Sequence, residues 1–125
     1  MVRILVVDDD ARNLRLAVAA LEQAGHDVLS AECGGDALEA AIAHTPDLIL
    51  MDVQMPGMDG IAALRHLRAN PGTAALKVVA LTALAMKGDR ESLLAAGFDG
   101  YLQKPIRYKE CLSGVAEMLK GASSG

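Results

Sequence analysis

Three consecutive carboxylates, Asp8, Asp9 and Asp10, close the apolar run Ile4–Val7, and a further aspartate, Asp52, closes the run Leu48–Met51. Thr82 follows the apolar stretch Val78–Leu81, and Lys104-Pro105 follows Tyr101–Gln103. Carboxylates at this density suit a hard divalent cation, Mg2+ or Mn2+, which takes oxygen ligands; Asp8, Asp9 and Asp52 are the candidates. A carboxylate also accepts phosphoryl groups, although it is a weak nucleophile and repels an anionic donor. Two carboxylates ~5 Å apart repel each other by ~3 kcal/mol at an effective dielectric of about 20. A bound cation offsets that repulsion and neutralises the oxygens in transfer. The Lys104 ammonium and the Thr82 hydroxyl are then suited to hold the phosphate.

Taken singly, each residue has a plainer role. An aspartate run before a helix caps it and complements its dipole, and Asp10 is assigned that role. Asp52 alone is a turn former, Thr82 alone a cap and Lys104 alone a surface charge. Their joint position, each just beyond a strand, favours the chemical reading over four separate coincidences.

That reading requires strands that lie side by side and point the same way. Ile4–Val7 and Leu48–Met51 are short apolar runs of the kind buried on both faces of a parallel sheet. Val28–Ala31, Lys77–Leu81 and Tyr101-Leu102 read as the second, fourth and fifth strands. Between them, Leu14, Val18 and Leu21 repeat at helical spacing up to Gly25. Leu38 and Ile42 share a face of a helix over Ala37–Ala43 that ends before Pro46, and Ile61, Leu64 and Leu67 mark a third helix. Asn70-Pro71-Gly72 is a turn, Lys87–Ala96 a short helix closed by Gly97, and a last helix starts near Tyr108. Five βα units with short connections predict an α/β fold, a doubly wound five-stranded parallel sheet of flavodoxin-like order 2-1-3-4-5. Ligands of such sheets bind beyond the carboxyl ends of the strands, between the first and third.

Composition narrows the function. At 125 residues the chain is one domain, and a net charge of −4 argues against direct nucleic-acid binding. No apolar run approaches the ~20 residues of a membrane span, and no signal-peptide pattern opens the sequence, so the expected compartment is cytoplasmic. Cys33 and Cys111 are isolated and read as small buried hydrophobes; His26, His44 and His66 read as solvated or helix-end residues. Residues 1–120 form the expected domain, and 121–125 read as a flexible tail or linker stub.

Four ordered stretches, ILVVDDD (Ile4–Asp10), PDLILMDVQMPGMDG (Pro46–Gly60), ALTALAMKGD (Ala80–Asp89) and AGFDGYLQKPI (Ala96–Ile106), resemble the receiver domain of two-component response regulators. The resemblance spans about residues 1–120. It implies Asp52 as phosphoacceptor and Asp8 and Asp9 as the metal-binding acidic pair, with the backbone carbonyl of Gln54 as a further ligand. It implies Thr82 and Ala83 at the phosphate, Lys104 as the phosphate-binding lysine before Pro105, and Tyr101 as an aromatic that turns inward when Thr82 moves. The implied donor is a histidine kinase or histidine phosphotransfer protein. The implied output is a protein partner, not itself identified, that binds the face made by the fourth helix, fifth strand and fifth helix. Leu84 is apolar where many relatives are polar, which predicts slow loss of the phosphoryl group.

Two other classes use parts of this set. A haloacid-dehalogenase-like phosphohydrolase also combines a strand-end Asp, a Thr, a Lys and Mg2+, but it needs Asp-x-Asp after its first strand, where this chain has consecutive aspartates. A flavin-binding module of the same fold needs a Ser/Thr/Gly-rich phosphate loop there, and three acids would repel the flavin phosphate.

Overall fold

The two uninterrupted apolar runs lie at the centre of the sheet. In the computed structural model, which describes residues 2–53, 60–82 and 87–103 (side chains of 87–90 and 103 excepted), β1 (Arg3–Val7) pairs in parallel with both β2 (Asp27–Ala31) and β3 (Leu48–Asp52). Outside them, β4 (Lys77–Thr82) pairs with β3, and β5 (Gly100–Gln103) with β4, which completes the order β2-β1-β3-β4-β5. Every residue of β3 is buried, as a strand with helices on both faces requires. The last helix expected from Tyr108, Cys111 and the 121–125 tail lie outside the described residues.

Alternation along the strands splits the core in two. Ile4, Val6, Leu48 and Leu50 pack with Leu14, Ala17 and Leu21 of α1 (Ala11–Gln23). Leu5, Val7, Ile49 and Met51 face the other way, against residues of α2 (Gly34–His44), α3 (Gly60–Ala69) and α4 (Lys87–Ala96). Placing α1 on one face and α2, α3 and α4 on the other is the doubly wound arrangement that the βα alternation predicts.

One detail was left open by the sequence, and one departs from its expectation. The inward face of α2 consists of Gly34, Ala37 and Ala41, whereas Leu38 is only half-buried and Ile42 is exposed. The fully buried positions of α2 are thus small residues, with Leu38 and Ala40 packed at the margin of the core. Cys33, expected as a buried hydrophobe, is exposed, because it occupies the extended residue that caps the start of α2.

At the amino-end edge of the sheet, Arg68 near the end of α3 ties several chain segments together. Its guanidinium donates to the carbonyls of Ala74, Leu76 and Gly97 and to Asp99 Oδ2 at 2.9 Å. The same Asp99 oxygen accepts the Val78 N–H at 2.8 Å. Gly97, with φ +114, makes the left-handed turn that ends α4, and Gly25, with φ +93, does the same after α1.

Candidate metal centre and phosphoacceptor

Strand register brings the acids together. Val7 pairs with Met51, so Asp8 and Asp52, each the next residue, come level at the carboxyl ends of β1 and β3. Both are buried, at 1% and 2% exposure, while Asp9 is exposed. One carboxylate oxygen from each of the three lies within 4.8 Å of the others.

The consecutive aspartates do three different things. The Asp8 N–H donates to the Ala31 carbonyl at 3.1 Å, which continues the β1–β2 ladder by one step and fixes the residue. Asp8 Oδ1 accepts the Asp10 N–H at 2.9 Å. Asp10 has left the strand; its Oδ1 accepts the Arg12 N–H at 2.9 Å and the Asn13 N–H at 3.3 Å, the N-cap role expected of it. Asp9, between them, reaches the cluster from the solvent side.

On the other flank, Asp52 pairs with Leu81, and the Val53 N–H extends that ladder to the Leu81 carbonyl at 3.1 Å. Thr82 is the next residue of β4 and is buried. Tyr101 pairs with Ala80 on β5 and is half-buried against the α2–α4 side of the core. The structure thus brings Asp8, Asp9 and Asp52 together and sets Thr82 and Tyr101 on the neighbouring strands. Gln54, Ala83, Leu84, Lys104 and Pro105 lie outside the described residues.

The donor set fits a hard cation. It is carboxylate oxygen throughout, with two members withdrawn from water, and like charges this close favour a counter-charge between them. His44 and His66 are exposed in the last turns of α2 and α3, as expected of helix-end histidines, while His26 is half-buried just past α1.

One further residue touches the site: Gly60, the first residue of α3. Its N–H donates to the Val53 carbonyl at 2.9 Å, and it packs directly on the backbone of Asp52. A glycine before a helical pattern signals a helix start, and nothing in one sequence marks it as a contact with the acid.

Comparison with known proteins agrees with this geometry. Residues 4–116 match the response regulator receiver domain family, and the chain belongs to that family. It is 45% identical over 111 residues to the sensor protein GacS of Pseudomonas syringae, covering 86% of this chain and only 12% of that protein. It is 37% identical to protein PilH of Pseudomonas aeruginosa, covering 97% of this chain and all of PilH. Among solved structures, the receiver domain of sensor histidine kinase PA1611 from Pseudomonas aeruginosa superposes with a TM-score of 0.86 at 34% identity, covering 95% of this chain and 98% of that one. That structure has a magnesium ion coordinated in its active-site cleft. The chain is therefore a signalling receiver domain of two-component systems, and the phosphohydrolase and flavin-module readings give way to it. No helix among the described residues is long and apolar enough to cross a membrane.

Proposed function

We propose that the chain accepts a phosphoryl group on Asp52 from a phosphohistidine donor, a histidine kinase or histidine phosphotransfer protein, and then presents an altered α4–β5 and fifth-helix face to a protein partner. The carrying observation is the cluster of Asp8, Asp9 and Asp52, with Asp52 buried at the end of the central strand β3. An Asp52 oxygen would displace the histidine nitrogen at phosphorus, the P–O bond forming as the P–N bond breaks and its electron pair returning to the imidazole. Asp8, Asp9 and Asp52, with the Gln54 carbonyl, would hold Mg2+ or Mn2+, which when bound supplies the positive charge that offsets the anionic donor. The β1 and β3 ladders keep Asp8 and Asp52 in place, so little reorganisation is needed when the donor arrives. Lys104, before Pro105, and Thr82 with Ala83 would hold the phosphoryl oxygens. Leu84 would keep the hydrolytic water away and lengthen the lifetime of the phosphorylated form. Residues 1–120 would make up the domain, working in the cytoplasm.

Labelling by acetyl phosphate tests the assignment. The parent should label in Mg2+ and stop when the metal is chelated, and Asp52→Asn should not label. Labelling that persists in Asp52→Asn would place the acceptor elsewhere.

A further inference from the structure

We infer that Gly60 is a positioning residue for the phosphoacceptor, present because α3 starts in direct contact with the Asp52 backbone. A methyl group on Gly60 would overlap the Asp52 carbonyl oxygen and would lie 2.8 Å from Val53 Cα and 3.0 Å from the Asp52 carbonyl carbon. All three are backbone atoms at the end of β3, so no side chain can rotate away to make room. Gly25 and Gly35, by contrast, would meet nothing within 4 Å.

Conformation does not explain this glycine. The left-handed glycines among the described residues are Gly25 and Gly97, and Gly60 has an ordinary φ that any residue adopts. Its place at a helix start does not require glycine either, since Ser, Thr, Asn and Asp serve there at least as well. What remains is space. The missing Cβ lets the Gly60 N–H reach the Val53 carbonyl at 2.9 Å and seats α3 on the strand end that carries Asp52. The Val53 N–H is held in turn by Leu81, the residue before Thr82. Gly60, Val53 and Leu81 thus form a backbone chain from α3 to β4 that runs through the residue next to the acid. A side chain at position 60 must lift α3 or push the end of β3, and either movement shifts the Asp52 carboxylate relative to Asp8, whose own position is set independently by Ala31.

This inference rests on the reading of Asp52 as phosphoacceptor, and the experiment separates the two. Parent protein and Asp52→Asn are first labelled with acetyl phosphate, which tests the reading itself. Gly60→Ala is then compared with Leu67→Val and Leu67→Ala, which weaken the same helix seven residues further on, in its buried far half. The two Leu67 variants bracket the loss in Tm. Labelling rate and Mg2+ affinity of the unphosphorylated protein are measured for all four proteins. Misplacement of a reacting group by about 1 Å can cost ~100-fold in rate, so Gly60→Ala should label tens of times more slowly and bind Mg2+ more weakly. The Leu67 variants should match the parent in both, whatever their Tm. If Gly60→Ala unfolds in plain buffer, all four are measured in trimethylamine N-oxide, which restores compact states. Parent-like labelling and Mg2+ affinity in Gly60→Ala would overturn the inference, as would losses no greater than those of a Leu67 variant of equal Tm.

Discussion

Thr82 and Tyr101 are diagonal neighbours on one face of the sheet: Tyr101 stands beside Ala80, and Thr82, two residues on, stands beside Gln103. Successive side chains of a strand alternate in direction, so both point to the side where α2, α3 and α4 pack. A shift of the Thr82 hydroxyl toward a phosphoryl group on Asp52 would therefore open space next to the Tyr101 ring. A ligand moves a two-state equilibrium only through contacts that differ between the states, and the Thr82 hydroxyl provides one. Thr82→Ala should still accept a phosphoryl group yet lose the beryllofluoride-induced backbone shifts of α4 and β5. An NMR response equal to the parent's would exclude Thr82 from the coupling.

Asp9 is the exposed member of the acidic cluster. Its removal should leave the ladders that hold Asp8 and Asp52 intact. Asp9→Ala is expected to weaken Mg2+ binding by about tenfold or more, as loss of a ligand does. Without metal the same variant should melt slightly higher than the parent, because one of three mutually repelling charges is gone. Titration calorimetry and thermal melts in chelator check both signs, and unchanged Mg2+ affinity would place the cation elsewhere.

Arg68 is expected to matter for stability and not for chemistry. It donates to three carbonyls and to Asp99, and the Arg68–Asp99 pair is only about one-third exposed, at 27% and 36%. Arg68→Ala leaves those acceptors to water or to nothing and should cost about 2 kcal/mol. Arg3–Asp27, at 45% and 47% exposure, should be worth well under 1 kcal/mol by the same measure. Urea melts of Arg68→Ala and Arg3→Ala would rank them, while acetyl phosphate labelling of the folded proteins stays at the parent level.

The strands, their order and the three acids were legible because each rests on local signals: an apolar run of strand length followed at once by a carboxylate. The features that escaped depend on distance and space. Arg68 and Asp99 are 31 residues apart, and no periodicity relates them. Leu38 and Ile42 share a helical face, as their spacing says, but spacing does not say which face meets the sheet, and Gly34, Ala37 and Ala41 do. Cys33 was placed inside on composition alone, and the strand-to-helix corner that exposes it is a tertiary feature. Gly60 carries no local signal of its role, and its contact with Asp52 exists only once β3 and α3 are assembled.

The ion pairs Arg3–Asp27 and Arg68–Asp99 both sit at the pole of the sheet where the strands begin. The opposite pole gathers like charges. The molecule is thus sutured at one end and carries its acidic cluster at the other. Robustness can be tuned at the sutured pole by substitutions that never approach Asp52. The acidic pole works in reverse: any cation it admits adds stability as the logarithm of one plus the ratio of its concentration to its Kd, so a metal held there would also act as a removable fastener.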